Sequence, residues 1–333
     1  MVDDGFVPVI DLRGSRSGSA GQRRALAHRI GRVCETSGFF VVTGHGVPDA
    51  AVAELMAGVS SFFALPVAVK HELLSHPRDP LMRGYGRAGS LAASNGVTKR
   101  AGVLPDLSQT YTVNRLGEPE GAALLPPGTS PLVGLPNRWP DIRGFSAAFR
   151  GYYAEMERLA ADLMRLFAIA LDLEEHWFDD KTDKHMSNLV ANYYPPQLVP
   201  PVPGQTRKGE HSDWGSLTIL HRDEAAGGLQ VLGRGKKWLD VPSVAGGLVI
   251  NIGDLMETWT NGKWVSTVHR VVNPPRDKAL TERYSIAFFH QPNFDALIEC
   301  IPTCTDGANP PRYPAVRSGP YLMRKTLMSF DLE

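Results

Sequence analysis

Two residues with metal-binding side chains stand two apart in Gly209-Glu210-His211-Ser212-Asp213-Trp214-Gly215-Ser216-Leu217-Thr218-Ile219-Leu220. On an extended strand, positions i and i+2 face the same side, so the His211 imidazole and the Asp213 carboxylate are expected to project together. The apolar-rich run from Leu217 to Leu220 would then carry that strand into a core. The candidate third ligand is His269, in the β-branched run Ser266-Thr267-Val268-His269-Arg270-Val271-Val272. Two imidazoles and one carboxylate on one face of an ion leave the opposite positions open, which suits Fe(II) chemistry with O2. An H-x-D pair is weak by itself. Three further features fall in order around it.

Arg283-Tyr284-Ser285 opens the run Arg283 to Phe289, and alternation puts Arg283 and Ser285 on one face. A guanidinium fork beside a hydroxyl makes a clamp for a carboxylate. Asn192-Tyr193-Tyr194-Pro195-Pro196 reads as a strand end stopped by prolines, with Asn192 and Tyr194 on one face. Gly253-Asp254, followed by Thr260-Asn261-Gly262-Lys263-Trp264, reads as a hairpin turn leading into the His269 strand.

The elements that must hold these groups are mostly short strands. From residue 188 the dominant period is two, giving strands at 188–194, 216–220, 229–232, 237–241, 247–252, 265–272 and 283–289. Turns fall at Gly227-Gly228, Gly233-Arg234-Gly235 and Asn261-Gly262. Many short strands with regular turns imply a sandwich or jelly roll with the ligands inside it near one end. Before them, Ile142 to Leu171 reads as one long amphipathic helix, its stripe Phe145, Phe149, Tyr152, Met156, Leu159, Leu163 and Phe167 backing the sheet. Helices are also expected at Gln22–Thr36 and from Asp49, with Asp49 as N-cap. Short strands are expected at 7–12 and 39–43, and another at 108–114 with Thr110, Thr112 and Asn114 on one face. The fold class is therefore mainly β with flanking helices, divided as 1–125 (an N-terminal α/β region), 126–185 (connection and backing helix), 186–295 (the jelly-roll core) and 296–333 (a tail and helix over the barrel mouth). Gly84-Tyr85-Gly86-Arg87-Ala88-Gly89 matches G-x-G-x-x-G by letter, but no strand is expected before it, so it is read as accidental. The irregular segment 81–100 is expected to cover a pocket mouth, with Arg83 and Tyr85 as candidate substrate contacts.

The composition excludes several functions. The 333 residues carry 35 Lys plus Arg against 35 Asp plus Glu, so a nucleic-acid or acidic-membrane partner is not expected. No apolar run approaches the ~18 residues of a membrane span. Three cysteines, Cys34, Cys300 and Cys304, argue against a disulfide framework and for the cytoplasm. A monomer acting on a small molecule is the expected state.

At these motifs, and at Val7-Pro8-Val9-Ile10-Asp11-Leu12, Ser37-Gly38-Phe39-Phe40-Val41-Val42-Thr43-Gly44-His45-Gly46-Val47-Pro48 and Phe62-Phe63-Ala64-Leu65-Pro66, the chain resembles the isopenicillin N synthase-like branch of the Fe(II)/2-oxoglutarate-dependent dioxygenases over almost its whole length. It departs at Gly44, where the family usually has Asn; that motif is assigned to packing. The resemblance implies a double-stranded β-helix with Fe(II) on His211, Asp213 and His269. It further implies 2-oxoglutarate held by Arg283, Ser285 and Tyr194, oriented by Asn192, with O2 as cosubstrate and ascorbate as an accessory reductant. Oxidative decarboxylation to succinate and carbon dioxide would accompany oxidation of a substrate C–H bond, by hydroxylation, desaturation or cyclisation, in secondary metabolism or antibiotic biosynthesis. The carboxylate at Asp213 argues against the halogenase variant. Val190, Leu220, Leu229, Val271, Phe289 and Gln291 are the expected pocket walls. Two alternatives remain at this point. One is an iron oxidase of the isopenicillin N synthase or aminocyclopropane-carboxylate oxidase type that does not use 2-oxoglutarate. The other is a catalytically silent ligand-binding protein with the same fold.

Overall fold

The computed structural model describes residues 5–90, 104–225 and 228–329. The N-terminal part runs β1 (Val9–Asp11), α1 (Ala20–Thr36), β2 (Phe39–Thr43), α2 (Asp49–Phe63), α3 (Val67–His71), β3 (Gly84–Gly86) and β4 (Gln109–Asn114). Then come α4 (Phe145–Ala170), α5 (Asp179–Thr182), β5 (Asn188–Tyr194), β6 (Lys208–His211), β7 (Leu217–Arg222), β8 (Leu229–Leu232), β9 (Trp238–Asp240) and β10 (Leu248–Ile252). The chain closes with α6 (Asp254–Trp259), β11 (His269–Val271), β12 (Arg283–His290), β13 (Leu297–Ile298), β14 (Val316–Arg317) and α7 (Ser318–Ser329).

Eight strands form one sheet in the order β1-β2-β10-β7-β12-β5-β4-β3, and four form a second in the order β6-β11-β8-β9. Alternation along the large sheet sorts its side chains into two layers. Ile219, Ile250, Ile286, Phe288 and Leu189 join the main core with α1, α2 and α4. The opposite face contributes Phe39, Val41, Val249 and Tyr194 to a second core, where they meet Leu229, Val231 and Val271 of the small sheet. The interior between the sheets is the jelly-roll lumen. All seven residues of the α4 stripe are buried, so this 26-residue helix does back the large sheet. Among the described residues, no helix is long and apolar enough to cross a membrane.

Several expectations need correction. β6 ends at His211, so Asp213 does not lie on a strand but in the loop between β6 and β7. Gly253-Asp254 opens the helix α6 where a hairpin was expected. Asn261 and Gly262 do adopt positive φ, 55° and 74°, but in a turn that follows α6. The expected strand 265–272 is paired only over His269–Val271. Gly84–Gly86, within the segment read as irregular, pairs with β4 as the edge of the large sheet. α1 starts at Ala20, because Ser19 and Gln22 form a reciprocal capping box. Pro48 occupies the cap position of α2, with Asp49 as its first residue. Of the segment 81–100, residues 91–100 lie outside the described residues, as does Gly227 of the expected Gly227-Gly228 turn. α7 docks on α6, where Tyr321 Oη donates to Asp254 Oδ2 at 3.3 Å and Lys325 Nζ lies 3.1 Å from the same oxygen.

Candidate active site

His211 and His269 are directly opposed across the β6–β11 pair. Their ring centroids are 4.2 Å apart, and the edge of Phe39 packs against His269 with ring centroids 5.2 Å apart. His211 Nδ1 is 2.7 Å from the Gly209 carbonyl, and His269 Nδ1 is 3.1 Å from the Thr267 carbonyl. A carbonyl only accepts, so both Nδ1 atoms carry the hydrogen and both Nε2 lone pairs face the lumen. Asp213 Oδ1 lies 3.9 Å from His211 Nε2 and 3.6 Å from His269 Nε2. One donor atom from each of the three residues falls within 4.8 Å of the others.

The other carboxylate oxygen of Asp213 is already engaged. Oδ2 accepts from Thr218 Oγ1 at 2.5 Å and from Asn251 Nδ2 at 2.7 Å, leaving Oδ1 for a ligand. Thr218 and Asn251 are cross-strand neighbours on β7 and β10. Burial alone would raise the Asp213 pKa, but His269, His211 and these two hydrogen bonds outweigh it and hold the carboxyl below its usual value. Burial and neighbouring His269 push the His211 pKa down, so its imidazole stays neutral, which is the ligating form.

The loop carrying Asp213 is pinned at both ends. The Asp213 carbonyl accepts from Asp254 N at 2.8 Å, and Ser216 N donates to the His290 carbonyl at 3.0 Å. Glycine is required where this loop meets α6: a Cβ on Gly253 would sit 2.3 Å from the Gly215 carbonyl oxygen.

Beside the triad, β5 and β12 bring the second group together. Arg283 is opposite Tyr194, and Ser285 is opposite Asn192, forming two rungs of one ladder on one face. The Arg283 guanidinium lies over the Tyr194 ring, 5.0 Å from its centroid. Arg283 is 1% exposed, and its Nη1 has no hydrogen-bond partner. A buried guanidinium N–H left unpaired is costly and fits an absent anion. An inner cavity of about 40 Å³ is lined by these four residues and the triad, walled by Leu220, Leu229, Val271 and Phe289. An outer cavity of about 130 Å³ adjoins it, sharing His211, Asp213, Lys208 and Phe289, with Val190, Gln291, Thr110, Thr112, Met82 and Trp214 added. The Gln291 side-chain oxygen is buried without a partner.

The structure does not bring Arg83 and Tyr85 to either cavity, and this corrects the expectation. Arg83 forms a buried two-pronged pair with Asp79 at 2.8 Å and 2.8 Å, and also donates to the Leu132 carbonyl. Tyr85 faces the main core against Phe62, its hydroxyl donating to Gln109 at 2.8 Å. Sequence reasoning missed Thr218, Asn251 and Lys208. Asn251 did leave a signal, as the one polar residue in the buried run Leu248–Ile252. Lys208 leaves none, because its inward aim depends on the register of β6 against β11.

This fold and site define a class, the non-haem Fe(II) oxygenases built on a double-stranded β-helix. The sequence profile of the 2OG-Fe(II) oxygenase superfamily matches residues 185–292, and that of the non-haem dioxygenase in morphine synthesis N-terminal region matches residues 7–142. The 2-oxoglutarate-Fe(II) type oxidoreductase hxnY of Emericella nidulans is 32% identical over 315 residues, 93% of this chain and 86% of the relative. Validamycin A dioxygenase of Streptomyces hygroscopicus subsp. limoneus is 30% identical over 99% of this chain and 88% of its own. A full-length Neurospora crassa protein, crystallised in complex with alpha-KG and thymine, superposes with a TM-score of 0.83 at 29% identity, covering 96% of each chain. The chain belongs to the 2OG-Fe(II) oxygenase superfamily and is a non-haem Fe(II)/2-oxoglutarate-dependent dioxygenase.

Proposed function

We propose that His211, Asp213 and His269 hold Fe(II), that Arg283 and Ser285, with Tyr194, bind the far carboxylate of 2-oxoglutarate, and that Asn192 orients it. The observation that carries this reading is the orphan Arg283 Nη1 in the same inner cavity as three converging ligand atoms. When bound, iron and cosubstrate supply the O2 chemistry that oxidises a substrate C–H bond. The chain's own part is placement. Thr218 and Asn251 fix the carboxylate, backbone carbonyls fix both imidazoles, and the Arg283–Tyr194 stack fixes the cosubstrate's far end. Phe289, Val190 and Trp214 give the outer cavity apolar walls that exclude water, and Gln291 offers a polar contact to substrate. The validamycin A dioxygenase among the relatives supports a small-molecule substrate in secondary metabolism. Three free cysteines support a cytoplasmic setting. The test is turnover with Fe(II), O2 and a substrate panel. Stoichiometric succinate release that disappears in Asp213→Ala supports the reading, and substrate oxidation with no 2-oxoglutarate requirement overturns it.

A further inference from the structure

Lys208 should point away from the lumen. It shares parity on β6 with Glu210, whose exposed side chain meets Arg270 on the outer face at 3.2 Å. The β6–β11 register explains why it does not. His211 pairs with His269 but Lys208 pairs with Val271, so three steps on β6 match two on β11. This bulge re-aims one side chain, which is what bulges beside active sites commonly do. Asp106 braces it by accepting the Gly209 N–H at 2.9 Å. As a result Lys208 lines both the inner and the outer cavity.

Inside, Lys208 Nζ donates to Asn192 Oδ1 at 3.3 Å, and no described carboxylate lies within ion-pairing distance of it. Among the described residues it is the one Lys or Arg that lines the outer cavity. Arg283 and Ser285, the clamp proposed for the cosubstrate, line the inner cavity and not the outer one. Two carboxylates share the outer cavity with it, but Asp106 accepts the Gly209 N–H and Asp213 belongs to the triad, so a carboxylate on the substrate is the charge-assisted partner that this mostly apolar cavity favours.

We propose that Lys208 anchors a carboxylate on the substrate, so that this oxygenase acts on small organic acids whose apolar or aromatic body lies against Phe289, Trp214 and Met82. The proposal rests on the reading that this cavity is the oxidation site.

The test uses the full chain loaded with Mn(II), a redox-inert stand-in for Fe(II), and 2-oxoglutarate. Calorimetry measures binding of matched small acids and their carboxamides, such as benzoate with benzamide and nicotinate with nicotinamide. In the native chain at least one acid is expected to bind about ten- to a hundredfold tighter than its amide. Lys208→Met should abolish that preference with 2-oxoglutarate affinity held within about threefold, and Lys208→Arg should restore it. Amides binding as well as acids throughout the panel would overturn the proposal. So would an acid preference that survives Lys208→Met, or a loss confined to 2-oxoglutarate binding, which would make Lys208 a cosubstrate residue. Failure of the native chain to bind Mn(II) or 2-oxoglutarate would instead defeat the underlying functional reading. Circular dichroism of each variant confirms the fold.

Discussion

Thr218→Val removes one hydroxyl and keeps the shape of the side chain. Thr218 is 3% exposed, and its hydroxyl donates to Asp213 Oδ2 at 2.5 Å. A hydrogen bond to a charged acceptor contributes roughly 1.5–3 kcal/mol. Part of that loss is offset, because Asn251 still donates to the same oxygen at 2.7 Å. The carboxylate is then less firmly oriented, and its Oδ2 lone pairs compete with Oδ1 for the metal. Partners of metal ligands are typically worth about 10–100-fold in affinity. With one of two donors kept, Thr218→Val is expected at the low end, about tenfold weaker for Mn(II) by calorimetry. Thr218→Val with Asn251→Leu should weaken binding by more than the two single changes combined, since both act on one oxygen. Thr218→Ser keeps the donor and should bind nearly as the native chain does. Native metal affinity in a folded Thr218→Val with Asn251→Leu chain would show instead that Asp213 needs no orientation through Oδ2.

Arg283→Met should weaken 2-oxoglutarate binding by about a hundredfold with metal affinity nearly unchanged, checked by titration of the Mn(II)-loaded chain. Arg83→Met should lower stability by about 3–5 kcal/mol by stranding buried Asp79, while a folded variant keeps the native KM for 2-oxoglutarate; denaturant unfolding and steady-state kinetics read the two. Stability should also depend on pH through His290. Burial first and then His185 hold the His290 pKa well below its ordinary value, and its Nδ1 lies 2.6 Å from Ser216 Oγ. The unfolded chain therefore binds a proton that the folded chain refuses. Stability is intact above about pH 6.5 and falls as pH drops below it towards the lowered folded value. His290→Leu should reduce that slope of the metal-free chain by up to about 1.4 kcal/mol per pH unit in urea titrations.

Much of this architecture was legible because its signals are local. The α4 stripe needs only a repeat of three or four, and the strands at 188–194 and 229–232 need only alternation between turns. The Arg283/Ser285 and Asn192/Tyr194 faces followed from the same period of two. What was not legible depends on register and tertiary closure. No local pattern says that β6 stops at His211, that α6 replaces a hairpin, or that a bulge turns Lys208 inward. Arg83 misled because an arginine beside a glycine-rich segment reads as solvent-facing or ligand-facing, whereas Asp79, four residues earlier, captures it in the interior. Thr218 and Asn251 sit on neighbouring strands far apart in sequence, so their shared carboxylate appears only once β7 and β10 are paired.

One ion and one diacid are expected to share the inner cavity. An anaerobic crystal structure of the full chain with Fe(II) and 2-oxoglutarate tests it most directly. A single metal peak is expected, bonded to His211 Nε2, Asp213 Oδ1 and His269 Nε2, with a cosubstrate carboxylate on Arg283 Nη1 and Ser285 Oγ. A metal bound elsewhere, or an Arg283 Nη1 still unpaired with cosubstrate at saturation, would contradict it.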